Sequence, residues 1–175
     1  MKNRLYIITG PAGVGKSTIS LQLANNLEKS VLIEGDVIYN FFVGGRIKPW
    51  YKDAPLDLFW KNVKYLIKSY LESGYDVVFN YIIDPEKYDE LKNEFKDYKV
   101  IFKVLLTDEK TLIERDNERI PENRMGNRSI ELLKEFKNYK YVKENILDTT
   151  NLSVMETVKR IMEEVWKNNL YLNIF

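Results

Sequence analysis

The sequence predicts a doubly wound α/β domain, and three observations predict it. Short apolar runs alternate with longer stretches of helical periodicity. The short runs are continuously apolar rather than alternating, as in parallel strands buried on both faces. Helical crossovers of one hand then close such a sheet between two helical layers. Ligands of these domains bind beyond the carboxyl ends of the strands, so the residues that follow each strand are the informative ones.

Leu5 to Thr9 reads as the first strand, ended by Gly10. The helix after it carries Ile19, Leu23 and Leu27 at i, i+4 and i+8. Val31 to Ile33 is the second strand, closed by Glu34, Gly35 and Asp36. From Val37 to Ala54, Gly44-Gly45 and Pro49-Trp50 predict a short helix and then a mobile loop. Phe59, Val63, Leu66, Ile67, Tyr70 and Leu71 make one helical face, and Gly74 is placed to terminate it. Val77 to Phe79 forms a third strand. Asp84 before Pro85 reads as an N-cap followed by proline at the first helical position.

Val100 to Leu106 is the fourth strand, and a helix runs from it to near Arg119, where Ile120-Pro121 breaks it. A further helix is expected from Ser129 to Tyr141, and a fifth strand from Ile146 to Thr149. Ser153 and Glu156 form a capping box for the last helix, with Val154, Val158, Ile161 and Val165 as its buried stripe.

No repeat, low-complexity tract or linker interrupts the 175 residues, so the chain reads as one domain over 1–175. Hydrophobic residues at 45% are enough for a packed core. Lys and Arg total 27 against 26 Asp and Glu, a balance without general attraction for nucleic acid or anionic membrane. The absence of cysteine and histidine excludes disulfides, Cys or His zinc sites, thiol nucleophiles and histidine catalysis. No apolar run approaches the roughly 18 residues of a membrane span. The apolar run in MKNRLYIITG is too short for a signal peptide. The expectation is a soluble, cytoplasmic protein with neither nucleic-acid nor membrane partners.

Immediately after the first strand stands GPAGVGKS, Gly10 to Ser17, followed by Thr18. Glycine, four residues, then Gly-Lys-Ser is the phosphate-binding loop pattern. Glycines let the backbone curl so that successive N–H groups point at phosphate oxygens. The next helix offers its unpaired N–H groups and its dipole to the same anion. The expected ATP cradle is Gly10, Ala12, Gly13, Val14, Gly15, Lys16, Ser17 and Thr18. Lys16 is placed to reach the β and γ phosphates, and the Ser17 hydroxyl to hold Mg²⁺.

Glu34 and Asp36 end the second strand. A carboxylate there faces the phosphate loop across the crevice, where it can take the proton of an attacking hydroxyl or help hold Mg²⁺ through water. The plain alternative is a turn in which Asp36 caps the next helix. At the end of the third strand, Asn80 and Tyr81 stand where many such proteins carry an acid. They either line a substrate pocket or are polar residues at a strand terminus.

Arg115, Arg119, Arg124 and Arg128 cluster around a Pro-Glu-Asn-Arg-Met-Gly segment. Arg115 and Arg119 share a helix face, where like charges cost about 0.2–0.5 kcal/mol unless an anion lies between them. A lid over a triphosphate, spanning about residues 116–128, is one reading. A solvated helix with Glu114, Asp116, Glu118 and Glu122 interleaved is the other. The stretch from Gly44 to Trp50, with Arg46 and Trp50, suggests a loop that receives a polar or anionic acceptor. An ordinary surface loop with Trp50 anchored in the core is equally compatible. The apolar tail, Leu170 to Phe175, suits an edge strand, packing on the domain or a dimer contact.

GPAGVGKST, the IEGD turn, the arginine spacing and DTTNLSVMET together resemble small P-loop kinases of the nucleoside-monophosphate-kinase-like group. The likeness is to gluconate-kinase-like and chloramphenicol-phosphotransferase-like proteins, often described only as AAA-family ATPases. EGDVIYNFFVGGRIKPW is similar to one branch of gluconate kinases. The resemblance implies a five-stranded parallel sheet of order 2-3-1-4-5 and ATP as donor. It implies that Asp36 is the base, that Arg115 stacks on adenine and that Arg119 contacts phosphates. It also places Asp148 to Asn151, with Asn151 among the ATP contacts, at the border of the base. Gluconate kinases usually carry histidines near the lid, and this chain has none.

The function these features predict is transfer of phosphate from ATP to a hydroxyl of a small molecule, a sugar acid or an antibiotic-like acceptor, by a monomer or homodimer. Glu34, Asp36, Arg46, Trp50, Asn80 and Tyr81 are the expected acceptor contacts, and Lys16, Asp36, Arg119 and Arg124 the catalytic groups. A nucleotide or nucleoside kinase is the alternative enzyme. A nucleotide-binding switch acting through a protein partner is the alternative of another class.

Overall fold

A computed structural model describes residues 3–170, with side chains described through Glu163. The strands are β1 (Arg4–Thr9), β2 (Ser30–Glu34), β3 (Asp76–Asn80), β4 (Lys99–Leu106) and β5 (Ile146–Asp148). All pairings are parallel, in the order β2-β3-β1-β4-β5. The helices are α1 (Lys16–Asn25), α2 (Gly35–Tyr39), α3 (Leu56–Glu72), α4 (Pro85–Glu94), α5 (Glu109–Asn117), α6 (Asn127–Asn138) and α7 (Val154–Leu170). Single 3₁₀ turns at Pro121–Asn123 and Lys143–Asn145 complete the chain.

Alternation along β1 divides the core. Leu5 and Ile7 face a cluster with Phe59, Val63, Ile67 and Leu71 of α3, and Leu91 of α4. Tyr6 and Ile8 face the opposite layer, with Ile19 and Leu23 of α1, and Val158 and Ile161 of α7. β1 is central and buried on both sides, so the turn that follows it opens at the middle of the sheet's carboxyl edge. At the opposite edge Asp76 receives both the backbone N–H of Arg4, at 2.7 Å, and its guanidinium, at 2.5 Å, joining the first residues of β1 and β3.

Local signals act as expected. The Asp84 side chain accepts from the N–H of Lys87 at 2.8 Å, ahead of Pro85. The Ser153 N–H donates to Glu156 at 2.8 Å while the Glu156 N–H donates to Ser153 Oγ at 3.2 Å, a closed capping box. Gly74 takes φ +83° beyond the end of α3.

The departures lie at the margins of helical stripes. Tyr70 stands at the edge of α3, half-exposed and packed on Tyr75 instead of in the core. Val154 opens α7 and overhangs the layer it was expected to join. Leu27 is buried beyond the last turn of α1. The helix expected from Ser129 begins two residues earlier and ends three before Tyr141. Val165 and residues 171–175 of the apolar tail lie outside the described side chains and residues, respectively. Among the described residues no helix is long and apolar enough to cross a membrane.

Candidate active site

Three glycines in the left-handed half of conformational space shape the turn between β1 and α1: Gly10 at φ +148°, Gly13 at +85° and Gly15 at +102°. A Cβ on Gly10 would stand 2.4 Å from the Leu105 carbonyl oxygen, so the turn leans directly on β4. Val14 is buried and anchors the turn from below, while Ala12 and Gly13 remain partly exposed. No side chain caps α1, whose first turn presents Ser17 and Thr18 at the surface. The leading amides of that helix are therefore open to an anion.

Lys16 folds back across the turn, its Nζ donating to the carbonyl oxygens of Gly10 and Pro11 at 2.9 Å each. Desolvation pushes its ammonium down to about 8, Asp36 opposes that shift and Arg119 adds to it. Lys16, Asp36 and Arg119 come from three separate segments, and the charges of the latter two act on the Lys16 ammonium.

Asp36 lies in the first turn of α2, which begins at Gly35 with no intervening loop. Glycine is required there by proximity: a Cβ would meet the Tyr81 ring at 2.4 and 2.6 Å and the Tyr81 Cβ at 2.9 Å. Tyr81 is buried against Phe59 and Trp60, with ring centroids at 4.8 and 5.6 Å. Its hydroxyl proton is held far above the ordinary range by burial, with Asp36 and Tyr39 adding to the effect. Tyr81 is thus a neutral wall beneath the Gly35–Asp36 turn. Asn80 is buried at the end of β3, and its amide donates to Glu34 Oε1 at 3.5 Å.

A cleft of about 320 Å³ opens beside Asp36. Tyr39 and Asn40 line one side, and Arg46, Lys48, Pro49 and Trp50 the other. The Tyr39 hydroxyl donates to the Ile47 carbonyl oxygen at 2.7 Å, pinning the loop to α2. Arg46 donates to Asn40 Oδ1 at 2.7 Å. The Lys48 ammonium lies 5.3 Å from the Trp50 ring centroid. Trp50 is 58% exposed, so it lines the cleft and is not the core anchor that its hydrophobicity allowed. Among the described residues neither Arg46 nor Lys48 is ion-paired.

The four clustered arginines separate into two pairs. α5 ends at Asn117, so Arg119 is not on the helix that carries Arg115, and the expected repulsion along one face does not arise. Arg115 donates to the Val14 carbonyl oxygen at 3.2 Å, to Thr149 Oγ1 at 3.0 Å and to the Thr149 carbonyl oxygen at 2.8 Å. Arg119 donates to Asp116 Oδ1 at 3.1 Å. Arg124 donates through Nε to the Arg119 carbonyl oxygen at 2.9 Å, inside its own segment. Arg128 is held by Glu131 and Glu135 of α6, at 3.0 Å each. Arg115 and Arg119 therefore adjoin the phosphate loop, while Arg124 and Arg128 are bound up with their neighbours.

The sequence reading placed Thr149 only within a turn and gave Asp116 no role of its own. Thr149 is buried and receives Arg115, while Asn151, the neighbour expected at the base, is exposed. Asp116 was one acid among several in a mixed-charge helix; it is buried and serves three donors. Tyr39 and Asn40 join the cleft through the fold of α2 and its loop, whose cations Arg46 and Lys48 the sequence had flagged beside its glycines and Trp50.

Among the described residues no three acidic, His or Cys side chains gather to hold a metal. Ser17 and Asp36 are both exposed at the crevice. One hydroxyl and one carboxylate suit Mg²⁺, which keeps several waters and shares phosphate oxygens, so the donor set fits that ion.

A glycine turn at the central strand, a lysine folded over it and an adjoining cleft define a nucleotide-binding P-loop protein with the architecture of small kinases. An AAA domain description matches residues 5–141, and the chain belongs to that family. Among solved structures it is similar to a gluconokinase from Sinorhizobium meliloti 1021, at 18% identity and a TM-score of 0.73, over 99% of this chain and 98% of that one. A sugar kinase from Janibacter sp. HTCC2649 aligns at 14% identity and a TM-score of 0.68, over 92% and 93% of the two chains. The tunicamycin resistance protein of Deinococcus radiodurans aligns at 19% identity and a TM-score of 0.61, over 93% and 95%. At these identities the likeness is one of fold. No curated protein matches the chain.

Proposed function

We propose that the protein transfers the γ-phosphate of ATP to a hydroxyl of a small anionic acceptor, a sugar acid or an antibiotic-like compound. The observation that carries this reading is the glycine turn with Lys16 folded over it, together with a cleft that Asp36 lines. Backbone amides of Gly13 to Thr18 hold the β and γ phosphates, and Lys16 exchanges its two loop carbonyls for phosphate oxygens. Mg²⁺, when bound near Ser17 and Asp36, neutralises charge on those oxygens. The acceptor oxygen forms its bond to the γ-phosphorus, its proton passes to Asp36, and the bond to the β-phosphate oxygen breaks to release ADP. Arg119 faces the charge that develops on the departing oxygen, with Arg124 bracing its backbone. Arg115 borders the base beside Thr149 and Asn151. The segment over 116–128 is the lid of this single kinase domain.

Two cations without acidic partners, beside an exposed indole, favour an acceptor with a carboxylate or phosphate group and a face to lay against Trp50. The gluconokinase and sugar kinase among the similar structures support a sugar-type acceptor, and the tunicamycin resistance protein supports the antibiotic-like one. Asp36→Asn tests the chemistry. Acceptor-dependent ADP release, measured over a panel of sugar acids, nucleosides and antibiotics, should fall by about 10²–10⁴-fold. Calorimetric binding of MgATP should survive. Wild-type turnover by the variant removes Asp36 as the base.

A further inference from the structure

The Asp116 side chain is 4% exposed, at the last turn of α5, where its helix neighbours are mostly solvated. Its carboxylate accepts from the N–H of Met125 at 2.9 Å and of Gly126 at 2.8 Å, both across the far end of the connecting segment. It accepts from Arg119 Nη1 at 3.1 Å at the near end. Its opposite flank lies beside the phosphate loop, with room for no more than one carbon between them: a Cβ added to Gly13 would lie 3.5 Å from the Asp116 Cβ and 3.6 Å from its Oδ1. Burying a carboxylate is costly, and here three donors offset the cost and hold the carboxyl below its ordinary range even though burial opposes them.

The three donors and the neighbouring Gly13 belong to parts that the proposed reaction uses. Gly126 and Met125 close the segment that begins at Glu118. Arg119 acts on Lys16. Gly13 is the middle of the anion cradle. An apolar residue here would leave the Met125 and Gly126 amides and the Arg119 guanidinium without this acceptor, and an asparagine would offer them a single neutral oxygen.

We propose that Asp116 is a positioning residue that ties the 118–126 segment to the phosphate loop and fixes Arg119 where the phosphates bind. The function of Arg119 rests on the kinase reading; the tie between segment and loop does not. Asp116 touches no reacting atom and acts through Arg119 and the segment's backbone.

The test uses Asp116→Asn, Arg119→Ala and the double variant in the full chain. Trypsin cleavage after Arg124, without nucleotide, should quicken by about 10-fold or more in Asp116→Asn, because local opening governs cleavage. With acceptor and MgATP, Asp116→Asn and Arg119→Ala should each lower kcat by about 10–100-fold, and the double variant should lose little more than either one. A merely structural role for Asp116 predicts that the two losses multiply. Unchanged cleavage in Asp116→Asn, or multiplied losses, overturns the proposal. If the wild type binds no MgATP while cleavage still quickens, the kinase reading and the role of Arg119 fall and the tie stands. Should Asp116→Asn fail to fold, amide exchange in the unaltered protein decides. Met125 and Gly126 should exchange at least about 10-fold more slowly than free peptide, and exchange at the free-peptide rate overturns the tie.

Discussion

The guanidinium of Arg115 donates to the backbone oxygen of Val14 at 3.2 Å, joining residues 101 positions apart in the chain. The same group holds the Thr149 backbone and hydroxyl, so the turn after β1 and the turn after β5 are fastened by one side chain. A lysine cannot offer three donors in that planar arrangement. Arg115→Lys should lower unfolding stability by about 1–3 kcal/mol and weaken ADP binding by about 10-fold. Thermal melts and calorimetry check this, and wild-type values in both would separate Arg115 from the nucleotide site.

Lys16 gives a pH signature. Its ammonium titrates near 8 in the folded protein, below its ordinary 10.5, because of desolvation, with Arg119 adding and Asp36 opposing. Between those values the unfolded chain binds the extra proton, so this group makes stability rise with pH from about 8 to 10.5. Phosphate binding needs the charged form. MgATP affinity should therefore fall above pH 8, and binding there should take up a proton. Calorimetry in buffers of different ionisation enthalpy measures that uptake, which should vanish in Lys16→Met.

Three glycines should respond differently to alanine. Gly10→Ala meets the Leu105 carbonyl oxygen at 2.4 Å with φ +148° and should cost more than about 3 kcal/mol. Gly35→Ala meets the Tyr81 ring and should cost about 1–3 kcal/mol, since the ring has Phe59 and Trp60 behind it. Gly44 has open space around the added carbon, and its alanine variant should stay within about 0.5 kcal/mol. Urea unfolding ranks the three, and an equal loss at Gly44 would contradict the packing described.

Trp50 and Arg46 should matter to binding and little to folding. Trp50 is 58% exposed, and among the described residues Arg46 bonds to Asn40 alone, so alanine at either should change stability by less than about 0.5 kcal/mol. With the true acceptor, KM should rise about 10-fold while kcat holds, the mark of contacts made equally before and during reaction. A lowered melting temperature with unchanged KM would make them structural instead.

Where a signal is local, the sequence carries it. Asp84 and the Ser153/Glu156 pair announce helix starts because cap and capped amide lie within three residues. The turn from Gly10 to Thr18 is legible for the same reason, since glycine, lysine and serine act on one stretch of backbone. Asp116 is not, because its amide partners lie nine and ten residues away, across a bend that no periodicity specifies. Thr149 depends on an arginine 34 residues earlier. Trp50 shows a different limit: composition says that an indole prefers cover, and only the arrangement of α2 and its loop leaves it at a cleft. Tyr70 and Val154 mark a third, since a 3.6-residue period fixes a direction on a helix and not the extent of what it packs against.

β3 separates β1 from β2 in the sheet. Two strand spacings, about 10 Å, therefore part the glycine turn from the acidic turn. The midpoint of that interval is the tip of β3, where the Asn80 amide stands with Tyr81 at its shoulder. The spacing between the two turns is thus set by a buried strand end that belongs to neither.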